Sequence, residues 1–121
     1  MVAGYKNVPA WKRGMSFAHT VYAAVEAAGA KGTEAGTRLR KAAVSVPSLV
    51  SEAFLDLPGS DPREALGLAE TKLAEVSSLL TSEPALAGIP EADRESLLAD
   101  LSVLRAEVAE LRSARSGEPP N

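Results

Sequence analysis

The chain contains no cysteine, which removes disulfides, thiolate nucleophiles and the usual thiolate zinc sites from consideration. A single histidine, His19, is all the imidazole there is. It has no neighbour in sequence that would make it a general base or a metal ligand. Aromatic residues make up only 4% of the chain, and no segment alternates β-branched or aromatic residues with polar ones, so no strand is expected. Nowhere do ~18 apolar residues run uninterrupted, and the N-terminus lacks an apolar stretch of signal-peptide length. The expectation is a cytoplasmic protein with no membrane association.

What is present is alanine in abundance and a hydrophobic content of 45% over 121 residues, enough for one domain with a lean core. Small side chains let helices approach closely, which favours a tight bundle. The formal net charge of −3 conceals a polarity. Residues 1–41 carry seven Lys or Arg against Glu26 and Glu34, a net +5, whereas the remainder has six basic and fourteen acidic residues, a net −8. Such asymmetry reflects either an anion-binding surface or complementary packing between helices and subunits. A pI near 5.2 falls short of the basic footprint of a nucleic-acid binder and favours complementary packing.

Four helices follow from periodicity and punctuation. The first is expected over 9–28, with Trp11, Met15, Ala18, Tyr22 and Val25 as its core stripe and Phe17, Val21 and Ala24 as a weaker one. Gly29, Gly32 and Gly36 read as connector residues, and Thr33 as the N-cap of a second helix reaching about Leu57, before the breaker pair Pro58-Gly59. Asp61-Pro62-Arg63-Glu64 then supplies a cap, a proline for the first helical position and an acid in the first turn. Leu66, Ala69, Leu73, Val76 and Leu80 continue the third helix to about Thr81. Leu86 to Ile89 form a short cover, and Pro90-Glu91 opens a fourth helix with the seam Leu97, Leu101, Leu104, Val108 and Leu111. Arg112 and Arg115 complement the dipole at its end. The fold class is all-α, an antiparallel up-down-up-down four-helix bundle over 1–115 with a disordered tail over 116–121.

The second helix is the most informative element. Leu39-Arg-Lys-Ala-Ala-Val-Ser-Val-Pro-Ser-Leu-Val-Ser-Glu-Ala-Phe54 is apolar most of the way round, with Val44 and Leu55 widening the face formed by Val46, Val50 and Phe54. A surface helix of a small monomer needs about a 100° apolar stripe, so the surplus predicts a second neighbour, most simply another subunit. Val44, Pro47, Val50, Phe54 and Leu55 are therefore the candidates for oligomer or core packing. Pro47 removes one backbone hydrogen bond and predicts a kink. Ser45, Ser48 and Glu52 form the polar strip, and an acid among apolar residues calls for a cation, Lys72 or Arg40, in a polar clasp between helices.

This stretch resembles the signature L-R-R-A-A-V-S-I-P-S-N-I-A-E-G of the four-helix-bundle family typified by proteins encoded in intervening sequences of bacterial 23S ribosomal RNA genes. Tyr5 and Trp11 match its opening Y and V-W, Tyr22 the V-Y that ends its first helix, and Ala69, Leu73 and Glu75 the A-x-x-S-L-x-E-L of its third. The resemblance covers residues 5 to about 112. The chain departs from it at Leu49, Ser51, Ala53 and Lys72, where the family has Asn, Ala, Gly and Ser. The resemblance implies an antiparallel bundle assembled into a ring, commonly a pentamer, in a family whose biochemical function is largely undefined; the expectation for this chain is a non-catalytic oligomeric scaffold or adaptor for a macromolecular partner, with no cofactor. The accessory variability determinant of diversity-generating retroelements is similar in architecture and binds a reverse transcriptase and RNA, so the alternative is a nucleic-acid-binding accessory subunit. On that alternative Arg38, Arg40 and Lys41 are the expected contacts to RNA or DNA, since a ring would repeat this cluster around a rim. The acids Asp93, Glu95, Asp100, Glu107 and Glu110 lack the Glu-x-x-His pattern of di-iron bundles and read as a solvated face.

Overall fold

A computed structural model describes residues 2–55 and 58–116. After a 3₁₀ turn over Val2–Asn7, the chain forms four α-helices: α1 (Pro9–Ala27), α2 (Glu34–Ala53), α3 (Pro62–Ser82) and α4 (Glu91–Ser116). No strand occurs among the described residues. Each helix packs on the next in sequence, and α1 also packs on α4, so the four close a cycle. One core fills its centre. Phe17, Leu39, Leu66, Leu73, Leu80, Leu97 and Leu104 are its largest side chains, and no polar or charged residue is buried among the described residues.

The ends of the elements follow the local chemistry. At the end of α1, Gly29 adopts a left-handed φ of 71°. The Ala30 amide donates to Val25 O at 3.0 Å and the Gly29 amide to Glu26 O at 3.1 Å, the pair of bonds that closes a Schellman motif. Thr33 caps α2, its Oγ1 accepting from the Gly36 amide at 2.9 Å. Asp61 caps α3, accepting from the Arg63 amide at 2.9 Å, with Pro62 in the first turn where its missing N–H costs nothing. Gly59, after Pro58, takes a φ of 79°. In the connection from α3 to α4, Leu86 and Ile89 are buried, and the turn over Pro84–Leu86 packs on α2.

Three expectations are corrected. In α1 the core face takes members of both stripes: Phe17 and Val21 of the weaker one are buried together with Ala18 and Val25 of the other, whereas Met15 and Tyr22 are 37% and 44% exposed. Gly14, in register with Phe17 and Val21, faces Pro47 of α2, and an added Cβ would lie 3.4 Å from Pro47 Cδ, an ordinary contact distance. Next, α2 ends at Ala53, not Leu57, as the Phe54 and Leu55 amides bond back only three residues, to Ser51 O and Glu52 O, the tightened geometry of a closing turn. Finally, Gly36 belongs to the first turn of α2. At the other end α4 includes Ser116, the first residue of the expected tail; the rest of that tail lies outside the described residues, as does the expected end of α2 at Leu57.

Most of the broad apolar arc of α2 is covered within the chain, because α2 lies between α1 and α3. Val46, Pro47 and Val50 are buried, and Phe54 packs against the core. Val50→Ala removes two methyl groups from a fully enclosed site and is expected to cost about 2 kcal/mol, transfer and cavity terms together. A denaturant midpoint unchanged at constant slope would contradict this packing.

Candidate functional site

The close seating of Pro47 on Gly14 leaves a shallow groove on the outer side of the α1–α2 pair. Its walls are Met15, Ala18, His19, Tyr22 and Val44, and its volume is about 240 Å³. Val44 is 42% exposed, so three large apolar side chains of this groove face solvent together. Scattered exposed hydrophobics are ordinary; here three of them stand together on two helices. The Arg40 guanidinium closes one end, stacked 5.4 Å from the centre of the Tyr22 ring, a favourable cation–π distance. Its Nη2 donates to Lys31 O at 3.3 Å, tying α2 to the α1–α2 connection. His19 is exposed on this wall. His19→Ala is expected to change stability by less than about 0.5 kcal/mol, read as an unchanged thermal melt.

The expected cationic cluster does not form one surface. Arg38 reaches α3 and donates to Glu75 Oε2 at 3.3 Å, Arg40 lies over Tyr22 of α1, and Lys41 is exposed between them. Positions 38 and 40 point to opposite flanks of a helix because two residues span about 200°. Nor are the four residues of the expected clasp brought together. The Ser45 hydroxyl donates to Lys41 O at 2.8 Å within its own helix. Ser48 is exposed and offers its carbonyl to Ser51 Oγ at 2.9 Å. Glu52 is exposed and makes no ion pair among the described residues, while Lys72 lies 4.0 Å from Glu75, one turn along α3. Hydroxyls satisfied by their own backbone need no partner helix, and an exposed acid is satisfied by water. Leu55, beyond the end of α2, is 38% exposed.

Charge complementarity between the halves of the chain is visible in individual pairs. Arg13 Nε of α1 lies 2.9 Å from Glu107 Oε1 of α4. The hydrogen bond to Glu107 and its charge raise the Arg13 pKa above the ordinary value. Arg112, expected to serve the dipole at the end of α4, instead lies across Gly67 of α3 and pairs with Glu70 at 3.2 Å. These pairs are exposed and orient helices more than they stabilise them.

Sequence reasoning overlooked Arg94. From the first turn of α4 its Nη1 donates to Leu80 O, and its Nη2 donates to Leu86 O at 3.1 Å and Ile89 O at 3.0 Å. Leu80 O is among the last carbonyls of α3, which a helix end leaves without intrahelical partners. One guanidinium thus satisfies the end of α3, the cover and the entry to α4. A signal was available, since a cation in the first turn of a helix opposes the dipole and needs compensation elsewhere.

A larger depression of about 700 Å³ flanks the α2–α3 connection, with Glu52, Asp61, Glu64, Leu49 and Leu68 among its walls. No group of three or more His, Asp or Glu that could hold a metal ion occurs among the described residues, and none of their helices is long and apolar enough to cross a membrane. No model of a known protein family matches the chain, and no curated protein matches it.

Proposed function

We propose that this chain is a non-catalytic four-helix-bundle subunit with up-down-up-down connectivity that assembles with copies of itself and serves as a scaffold or adaptor for a macromolecular partner. The observation that carries this reading is the α1–α2 groove, where Met15, Tyr22 and Val44 stay exposed beside a core that already takes up most of the apolar residues of α2. The sequence resemblance to the ribosomal intervening-sequence proteins supports the same reading and implies a ring, commonly of five. Short connections between helices that pack consecutively support the up-down order. The division of Arg38, Arg40 and Lys41 among three directions gives nucleic-acid binding less support than a protein interface.

The test is light scattering after size exclusion at micromolar concentration. A mass that is a multiple of 12.6 kDa, five-fold for the implied pentamer, is expected. A clean monomer would overturn the reading.

A further inference from the structure

Resting on this self-assembly, the geometry points to a specific pairing of unlike faces: the α1–α2 groove receives the exposed face of α4, centred on Val103, of a second copy of the chain. Val103 is 46% exposed, the one large apolar side chain of α4 left so among the described residues. Ala99 and Ala106, one turn to either side, are exposed as well, so on that side of Val103 only small side chains stand beside it. A projecting valine between alanines is a knob, and the groove of Met15, Tyr22 and Val44 is a hole of matching chemistry.

Charge selects the occupant. Lys12 precedes Met15 by three residues and Lys41 precedes Val44 by three, so each lies beside a groove wall on its helix surface. Both are exposed and neither forms an ion pair among the described residues. On α4, Asp100 and Glu110 stand one and two turns from Val103, to either side of it; neither forms an ion pair among the described residues, although the charge of Asp100 also acts on Arg13. The groove rim is basic on balance, Lys12 and Lys41 against Glu26 one turn beyond Tyr22, and the knob is acidic on balance, Asp100, Glu107 and Glu110 against Arg13, whereas two grooves facing each other would bring like charges together. This favours a head-to-tail contact between unlike patches over a symmetric one.

Position within the fold agrees with closure. Glu107, one turn from Val103, pairs with Arg13 of α1, so the knob lies on the side of α4 toward α1, and the groove lies on the opposite flank of α1. The two patches thus sit on adjoining sides of the molecule. Repeating such a contact turns in one sense and generates a ring where the rotation closes.

The absence of native cysteine makes the test clean. Tyr22→Cys, Val103→Cys and the double variant are treated with a short bis-maleimide at a concentration where scattering shows the oligomer, and separated under denaturing conditions. A ladder of multimers from the double variant, with neither single variant cross-linked, is the expected result. Dimers from Tyr22→Cys alone would mean that groove meets groove and would overturn the pairing. An oligomer by scattering that gives no ladder from the double variant would also overturn it, leaving self-assembly intact. A monomer by scattering would remove both. Both substituted positions are exposed, so circular dichroism matching the wild type is expected and separates loss of contact from loss of fold.

Discussion

Replacing Arg94 with methionine is expected to destabilise the fold by about 3–5 kcal/mol, although the residue touches no core side chain through its charge. Its guanidinium donates to the carbonyls of Leu80, Leu86 and Ile89, and its side chain is only 17% exposed. A hydrogen bond from a charged group contributes about 1.5–3 kcal/mol, and a part-buried carbonyl left without a donor adds its own desolvation cost. Methionine keeps the aliphatic stem, so the loss reports the donors. Arg94→Lys retains the charge yet offers a compact ammonium in place of a planar fork, and it should recover less than half of the loss. The Glu91 partner at 3.7 Å is 74% exposed, so Glu91→Gln should be nearly silent. Urea unfolding at one fixed protein concentration, as self-association requires, measures all three. A lysine variant as stable as the wild type would show that positive charge near the acidic start of α4 matters, and that the three carbonyls do not.

What was legible before the structure was whatever local chemistry decides. Asp61-Pro62 and Pro58-Gly59 set the start of α3 and the break before it through a side-chain acceptor and backbone dihedral preferences. Neither depends on distant residues. The seams of α3 and α4 were legible because each of these helices carries one dominant apolar stripe. In α1 two stripes compete, and the inward face takes Phe17 and Val21 from one and Ala18 and Val25 from the other. Pattern reasoning weighs the larger side chains of Trp11, Met15 and Tyr22 and has no access to how the neighbouring helices divide the surface. The same limit applies to the site. The apolar surplus of α2 was readable, but its division between neighbours was not: Val50 and Pro47 went to the core and Val44 to the groove. The expected clasp paired Glu52 with a cation by chemical type alone. Arg94 joins segments that only the tertiary fold brings together.

Gly36→Ala is expected to cost about 3 kcal/mol, while Gly14→Ala is neutral or stabilising, although both glycines are buried in helices and alanine is the better helix former by about 1 kcal/mol. The difference lies in what a methyl group would meet. At Gly36 an ideal Cβ would sit 2.1 Å from Ala30 O and 3.0 Å from Thr33 Oγ1. That carbonyl is held in place by the Thr33 amide at 3.0 Å and the Thr33 hydroxyl at 2.7 Å, and the same hydroxyl accepts from the Gly36 amide at 2.9 Å. Relief requires moving backbone, which breaks the cap and shifts Ala30, itself buried, out of the core. Overpacking against a side chain costs about 1–3 kcal/mol, and here the obstacle is backbone, so the helix-propensity gain cannot offset it. At Gly14 the nearest atoms are the Pro47 ring carbons at 3.4 and 3.5 Å, ordinary contact distances that a methyl group fills. Gly32, with open space around it, provides a control in the same connection, and Gly32→Ala should leave the midpoint within about 0.5 kcal/mol of the wild type. Chemical denaturation of the three variants ranks them directly. Equal stability for Gly36→Ala and Gly32→Ala would mean that the α1–α2 connection does not fold back on α2 as described, and that the junction positioning the groove-forming helices is looser than its hydrogen bonds imply.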